Sequence, residues 1–518
     1  MGLLTRGDAL RACPWLSYLA PLALLRRQAQ SLPPLMPLEN TEDFYPLSPL
    51  QEGLLFHALY SPEGGEYISQ VSCAIRGDLN VTAFKQALHR VVQRHAALRT
   101  FFVWKGLKQP VQVVQTHLDL PWDDLDWRAL SPEAQNEQLT AYIIKEQTRG
   151  FDLSSAPLMR LALIRMSDDE YQFIWTHHHI LLDGWSSSLV SRDIIAFYAA
   201  LSRGHELQLP NPRPYRDYIA WLQQQDLTRA EKYWREALKG FTTPTPLIPN
   251  NVSAPLQDLQ HGAYTAQQIR LSADQTLRLQ NAARKHRLTL NTLVQGAWAL
   301  VLSRYSGQHD VVFGATVSGR PPELKGVEEM VGVFINTLPV RVKVTLDMPV
   351  ADWLWRLQKE QLESRQYEYS PLSRVQGWSE VERGSPLFQS IVVFENYPSS
   401  SAAPAPAQER SRALDIRTLI LVKESYPLTL AVEPGSQLLL EIKYDNSLFD
   451  AATIRQMSKH LETLAHNVFS QSDVWQQRLG EVLERTHAEQ QSNEERKVKL
   501  VRHQMLKQVK RKVVTRIA

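Results

Sequence analysis

Tyr171 to Thr176 reads as a strand, and it runs without a break into three histidines, an Asp-Gly turn and the start of a helix: Thr176-His-His-His-Ile-Leu-Leu-Asp-Gly-Trp-Ser186. A strand followed this closely by a helix is one unit of the strand–helix alternation that marks α/β folds. The segment has a single register for the pattern His-His-x-x-x-Asp-Gly, which takes His178, His179, Asp183 and Gly184. A histidine at the end of a strand, just before a glycine turn, can be held rigidly with its ring toward a cavity. Asp183 can lock the turn through hydrogen bonds or an ion pair. Gly184 is expected to permit backbone geometry that a side chain would block, and its N–H is a candidate oxyanion donor. A single histidine base with no local Ser or Cys nucleophile suggests direct acyl transfer between two bound substrates. Metal binding is a weaker reading, since neighbours on a strand point to opposite faces and no Cys or His pair stands nearby at ligand spacing.

The same alternation of strand and helix runs through two comparable halves. The first half predicts strands at Gln70–Arg76, Phe101–Trp104, Val111–Val114, Leu158–Arg165 and Tyr171–His179, with helices at Val81–His95 and Pro132–Thr148. The helix after the histidines is expected to start at Ser186 or Ser187, good N-caps, and to stop near Gly204. Leu189, Val190, Ile194, Phe197 and Tyr198 give it one buried face. The second half predicts strands at Tyr264–Leu271, Asp310–Ser318, Thr337–Val344, Gln389–Glu395, Thr429–Val432 and Gln437–Tyr444. Its helices are expected at Ala273–His286, Leu290–Ser306, Val350–Tyr367 and Ala451–Val468, with an exposed loop over Ser399–Ala407. Strands interleaved with helices in two units imply two α/β lobes. The expected boundaries are a linker or docking segment at 1–42, an N-terminal lobe at 43–222, a connector at 223–262, a C-terminal lobe at 263–480 and a basic tail at 481–518.

Charge and cysteine content narrow the class further. The net charge of +3 over 518 residues conceals an asymmetry. Residues 494–518 hold nine Lys or Arg and two Glu, so they carry +7 and leave the remainder at 3 − 7 = −4. The tail could be a docking helix for an acidic partner, a nucleic-acid or membrane patch, a linker, or a solvated terminus. Nothing in the mildly acidic body supports nucleic-acid binding. Cys13 and Cys73 provide neither a disulfide framework nor a zinc site, which suits a reducing cytoplasm. The apolar run Cys13–Leu25 is broken by Pro14 and Pro21, is followed by Arg26 and Arg27, and lacks an Ala-x-Ala cleavage site. It is also too short to span a bilayer, so a soluble protein is expected.

The histidine segment resembles the core motif of condensation domains of nonribosomal peptide synthetases, in the chloramphenicol-acetyltransferase-like superfamily. Six further segments resemble that family's motifs in the expected order. They are Tyr45-Pro-Leu-Ser-Pro-Leu-Gln-Glu-Gly-Leu-Leu-Phe-His57, Arg94-His-Ala-Ala-Leu-Arg-Thr-Phe-Phe102, Tyr215-Arg-Asp-Tyr-Ile-Ala-Trp221, Val331-Gly-Val-Phe-Ile-Asn-Thr-Leu-Pro-Val-Arg341, and Tyr369-Ser-Pro-Leu with Phe388 to Pro398.

The resemblance implies two chloramphenicol-acetyltransferase-like lobes in a V, with a central tunnel and His179 near its middle. It also implies the reaction. The α-amine of one carrier-bound aminoacyl thioester would attack the thioester of a second, each arriving on the phosphopantetheine arm of a partner carrier domain, so that the chain itself binds no cofactor. By this resemblance His179 is the candidate base. His178 orients it or packs beneath the turn, Asp183 pairs with Arg320 or alternatively Arg99, and Ser318 and Asn336 contact substrate. An adenylation domain or other synthetase modules are further expected partners. The opening and histidine motifs look like domains at the start of surfactin and gramicidin S synthetase subunits, which accept a donor ending in a D-residue. Epimerisation and ester formation with a hydroxyl acceptor are the alternatives within the fold. A heterocyclisation domain would carry aspartates in place of the histidine pair.

Overall fold

A computed structural model describes residues 40–60, 67–247, 264–396, 415–422 (backbone only), 426–469 and most of 471–488. The basic tail at 494–518, the apolar N-terminal run and the Ser399–Ala407 loop lie outside the described residues.

Through the first half the elements follow as β1 (Thr41–Pro46), α1 (Pro49–Tyr60), β2 (Ile68–Arg76), α2 (Val81–Arg94), β3 (Thr100–Val103), β4 (Val111–Gln115), β5 (Trp122–Asp126), α3 (Pro132–Thr148), β6 (Met159–Arg165), β7 (Glu170–His178), α4 (Gly184–Leu201) and α5 (Arg216–Gln223). The second half continues with α6 (Leu227–Ala237), β8 (Tyr264–Arg270), α7 (Ala273–Lys285), α8 (Leu290–Ser306), β9 (Asp310–Val317), β10 (Asn336–Lys343), α9 (Val350–Ser364), α10 (Leu372–Trp378), β11 (Ser390–Phe394), β12 (Asp415–Val422), β13 (Leu428–Glu433), β14 (Leu439–Asp445) and α11 (Ala451–Glu462).

The strands form two main sheets, one per lobe, with order β12-β2-β7-β6-β5 in the first and β10-β9-β11-β13-β14-β8 in the second. A small sheet β1-β4-β3 lies beside the first. Strand β7 is central and buried on both faces. Phe173 and Trp175 join the core that α2 and α4 complete through Phe84, Leu88, Leu189 and Val190. Ile174, on the opposite face, packs with Leu139, Tyr142 and Ile143 of α3. In the second lobe the apolar α8 is buried over most of its length, and the Trp298 indole N–H donates to Ser390 Oγ at 3.0 Å. That bond satisfies the one polar atom of a side chain that the core buries completely.

Three expectations change. The helix after the histidines starts at Gly184, capped by Asp183, whose carboxylate accepts the Ser186 N–H at 2.8 Å. Ser186 therefore sits inside the first turn, as the N3 residue whose own N–H the Asp183 cap takes up. Within the expected connector, α6 and the Leu238 that follows it pack on the second lobe, since Ala230, Trp234 and Leu238 share a core with Val312, Leu338, Val375 and Leu387. Strand β12 was not expected at all. It comes from the C-terminal half yet pairs antiparallel with β2, from Asp415 opposite Arg76 to Val422 opposite Ser69. The range 263–480 is thus not confined to one lobe. A crossing strand of this kind leaves no local signal, because its partner is more than 300 residues away in the sequence.

Candidate active site

Strand β7 is paired residue by residue with β2, ending at Ile68 opposite His178, and one further bond carries the strand into the turn: the His179 N–H donates to the Tyr67 carbonyl at 2.7 Å. His179 is half-buried, and its Nδ1 is enclosed with no protein partner among the described residues. His178 is buried and faces the other way. Its Nδ1 accepts the Ile180 N–H at 3.1 Å, and the Leu181 N–H closes the turn onto the His178 carbonyl at 3.1 Å. A nitrogen that accepts from an amide carries no proton, so neutral His178 is the Nε2–H form. Burial, and next the neighbouring His179, hold its pKa down to about 3.

Asp183 is almost wholly buried and is used on both oxygens. One takes the Ser186 N–H and lies 3.6 Å from Arg320 Nη2, an ion contact rather than a hydrogen bond. The other accepts the Phe334 N–H at 2.9 Å and the Ile335 N–H at 3.4 Å. The same carboxylate therefore caps α4 in the first lobe and ties it to the 332–335 segment of the second. Arg320 is buried with it. Its guanidinium donates to the carbonyls of Val327 and Met330 and to Ser186 Oγ, and it stacks 3.9 Å from the Phe334 ring. Burial pulls the Arg320 pKa below the ordinary arginine value, and the Asp183 charge pushes against that shift. The alternative partner, Arg99, is spent elsewhere, on Glu42 and on the carbonyls of Gln115 and Val92.

Gly184 is the first residue of α4 and is not among the glycines with a left-handed φ. The backbone freedom expected of it falls instead to Gly319, at φ +59°, where an added Cβ would stand 1.8 Å from the Phe334 carbonyl oxygen. Gly332 is a second close approach, since a Cβ there would meet the Tyr215 ring at 2.3 Å. Ser318 is exposed just past the end of β9. Asn336 does not reach outward as a substrate contact would. It is buried, and both its amide hydrogens are committed, to the carbonyls of Glu368 at 2.9 Å and Ser370 at 2.7 Å.

Three residues outside the expected set complete the constellation. Ser186 Oγ donates to the Gly332 carbonyl at 2.8 Å and accepts the Gly332 N–H at 3.1 Å. Gln51 on α1 is buried and donates to the Ile180 carbonyl at 3.0 Å, so the first motif supports the histidine turn from below. Tyr215, at the start of α5, donates to the Val333 carbonyl at 2.5 Å and packs with Tyr45, Tyr218 and Phe334 in a cluster that joins the lobes. All three lie within quoted motifs, so their importance was readable but their partners were not. Two open surface clefts, of about 540 Å³ at Lys85, His89 and Trp122 and about 520 Å³ at Phe241, His309 and Lys343, share no lining residue with this constellation. Among the described residues no cluster of three or more His, Cys, Asp or Glu could hold a metal ion, and no helix is long and apolar enough to cross a membrane.

A two-lobed α/β fold with a histidine at a strand end, locked across the lobes by an Asp-Arg-Ser cluster, defines the class, and comparison with known proteins agrees. The family model for the condensation domain matches residues 41–491. One of the linear gramicidin synthase subunits of Brevibacillus parabrevis is 46% identical over 443 residues, which are 86% of this chain and 6% of that protein. Surfactin synthase subunit 3 of Bacillus subtilis (strain 168) is 33% identical over 437 residues, 84% of this chain and 34% of that protein. Among solved structures, a four-domain nonribosomal peptide synthetase bound to AMP and glycine superposes with a TM-score of 0.72 at 20% identity, covering 85% of this chain and 34% of that one. The X-domain from teicoplanin biosynthesis does so with a TM-score of 0.69 at 23% identity, covering 86% and 99%. The chain belongs to the condensation-domain family, a class of acyltransferases. It spans only a small part, 6% to 34%, of these two synthetase proteins.

Proposed function

We propose that this chain forms an amide bond between a donor acyl or peptidyl thioester and the α-amine of an aminoacyl acceptor. Both substrates arrive on phosphopantetheine arms of partner carrier domains, in a cytoplasmic nonribosomal synthetase that also holds an adenylation domain. The amine nitrogen attacks the thioester carbonyl, the new C–N bond forms as the C–S bond breaks, and the pantetheine sulfur leaves with the proton that the amine gives up. A thioester is already activated, so the protein's task is to hold both reactants and to receive that proton. Orientation supplies roughly 7 kcal/mol or more of such a barrier in favourable cases. His179 is the group assigned to the proton, with Gly184 N–H at the start of α4 as the oxyanion donor. Asp183, His178 and Arg320 act as supports that fix the turn. Ser318 is left as the exposed residue of the expected substrate-contacting pair.

The observation that carries this reading is the half-buried His179 at the end of β7, fixed by its backbone bond to Tyr67 while the adjacent Asp183 is spent on the second lobe. The test is intact-protein mass spectrometry of two loaded carriers mixed with this chain. The donor mass should appear on the acceptor carrier, and His179→Ala should abolish the transfer while the melting curve stays intact. Near-wild-type transfer by that variant would remove His179 from the chemistry. Donors ending in D- and L-residues should be run in parallel, with the D-form expected to react faster. An epimerisation activity would change donor stereochemistry without moving mass between carriers, and a hydroxyl acceptor would give a product that mild base cleaves.

A further inference from the structure

His177 is the histidine that the His-His-x-x-x-Asp-Gly register leaves out. In β7 it stands two residues before His179, and pairing with β2 continues through the Tyr67 bond. Alternation therefore puts Trp175, His177 and His179 on one face, with successive side chains about 6.6 Å apart. Each of these three contributes a buried nitrogen with no protein hydrogen-bond partner among the described residues: Trp175 Nε1, His177 Nδ1 and His179 Nδ1. His177 is only 2% exposed, and its ring lies 4.7 Å from that of Trp175. Three orphaned nitrogens in one row of a central strand call for a common explanation, because buried polar groups are as a rule paired.

A neutral imidazole has one N–H and one lone pair. For Nε2 of His179 to accept the proton of the amine, Nδ1 must carry the hydrogen, and that enclosed N–H then needs an acceptor. Asp183 cannot serve, since its oxygens are taken by Ser186, Phe334, Ile335 and Arg320. The His178 Nδ1 is taken by the Ile180 N–H. His177 is the remaining ring on that face, and burial keeps it neutral, with His179 and His178 as the titratable groups acting on it. Its register partners, Ser69 on β2 and Met159 on β6, do not titrate.

We propose that His177 is a positioning residue for His179: one water bridges the two Nδ1 atoms, accepting from His179 and donating to His177. The bridge fixes the tautomer that leaves Nε2 of His179 as the acceptor. The two ring nitrogens give that water two polar partners, the lower end of what a buried water makes. This assignment rests on the reading of His179 as the group that takes the amine proton.

The test uses the whole chain with loaded carriers. His177→Leu removes the acceptor and should lower kcat by about 10–100-fold, a fraction of what a general base supplies, with KM for the acceptor carrier unchanged. His177→Gln keeps an acceptor oxygen and should recover most of that loss. Long-range ¹H–¹⁵N spectra of the imidazoles, assigned by the signal lost in His179→Ala, should show His179 as the Nδ1–H tautomer in the wild type. The same spectra should show it mixed or reversed in His177→Leu. Wild-type turnover in His177→Leu, equal losses in the Leu and Gln variants, or an Nε2–H His179 in the wild type would each overturn the proposal. If His177→Leu fails to fold, the wild-type tautomer and the Gln variant still decide. Full activity in His179→Ala would instead remove the reading of His179 itself, a result separable from the others.

Discussion

Replacing Asp183 by Ala should destabilise the protein by about 3–5 kcal/mol, the usual cost of removing one member of a buried charge pair. The structure says where that cost arises. The carboxylate is at most 1% exposed and accepts from Ser186, Phe334 and Ile335 N–H groups, all of which lose their partner. The helix cap alone is worth about 1 kcal/mol. Each further orphaned N–H costs about 1–3 kcal/mol, less where the backbone can relax. Arg320 keeps its bonds to Val327, Met330 and Ser186, so the lost 3.6 Å contact is the smaller share. Urea unfolding followed by circular dichroism measures the change as a lower midpoint at unchanged slope. Because the ties run from α4 to the 332–335 segment, carrier-to-carrier transfer should fall together with stability. Combining Asp183→Ala with Arg320→Met should cost about 1–2 kcal/mol less than the sum of the two single changes, since residues in contact are not additive. A soluble Asp183→Ala protein with a wild-type midpoint would refute the assignment of Asp183 as the cross-lobe tie.

Two other outcomes follow from the same region. His177 and His178 titrate at about 3 against an ordinary value of 6.5, because burial disfavours their charged forms. Between those values the unfolded chain binds more protons than the folded one, so stability rises with pH across that window and falls on acidification. Each ring should withdraw about 2 kcal/mol between pH 7 and pH 5. Unfolding free energies measured at both values should show the fall, and His177→Gln should lose less; an identical loss in the variant would contradict the burial argument. Gly319→Ala should be among the most damaging small substitutions, costing about 3 kcal/mol or more, since its Cβ would meet the Phe334 carbonyl at 1.8 Å in a left-handed backbone. A Gly319→Ala protein with unchanged melting temperature would show that the 318–320 turn can move away from Phe334.

The sequence alone carried the α/β character, the two-unit organisation and the position of the histidine turn. Each depends on local information: alternation along β7, the apolar face of α4, and turn chemistry at Asp183-Gly184. The motif order also pointed to the family. Pairing between distant segments was beyond local reading. The placement of β12 beside β2, the spending of Asp183 on the Phe334 and Ile335 amides, and the choice of Arg320 over Arg99 all join residues more than 100 positions apart. No periodicity encodes such contacts. Gly319 makes the same point in reverse, since a glycine's need for its place comes from a carbonyl fifteen residues on that only the fold brings to within a Cβ's reach. Asn336 is expected to contact substrate because it is a polar residue in a motif that the resembled family places at the tunnel, whereas folding turns its amide toward two backbone carbonyls. Residue type and spacing determined which side chains are candidates for chemistry, and packing between the lobes decided that Asp183 and Asn336 are spent on backbone groups.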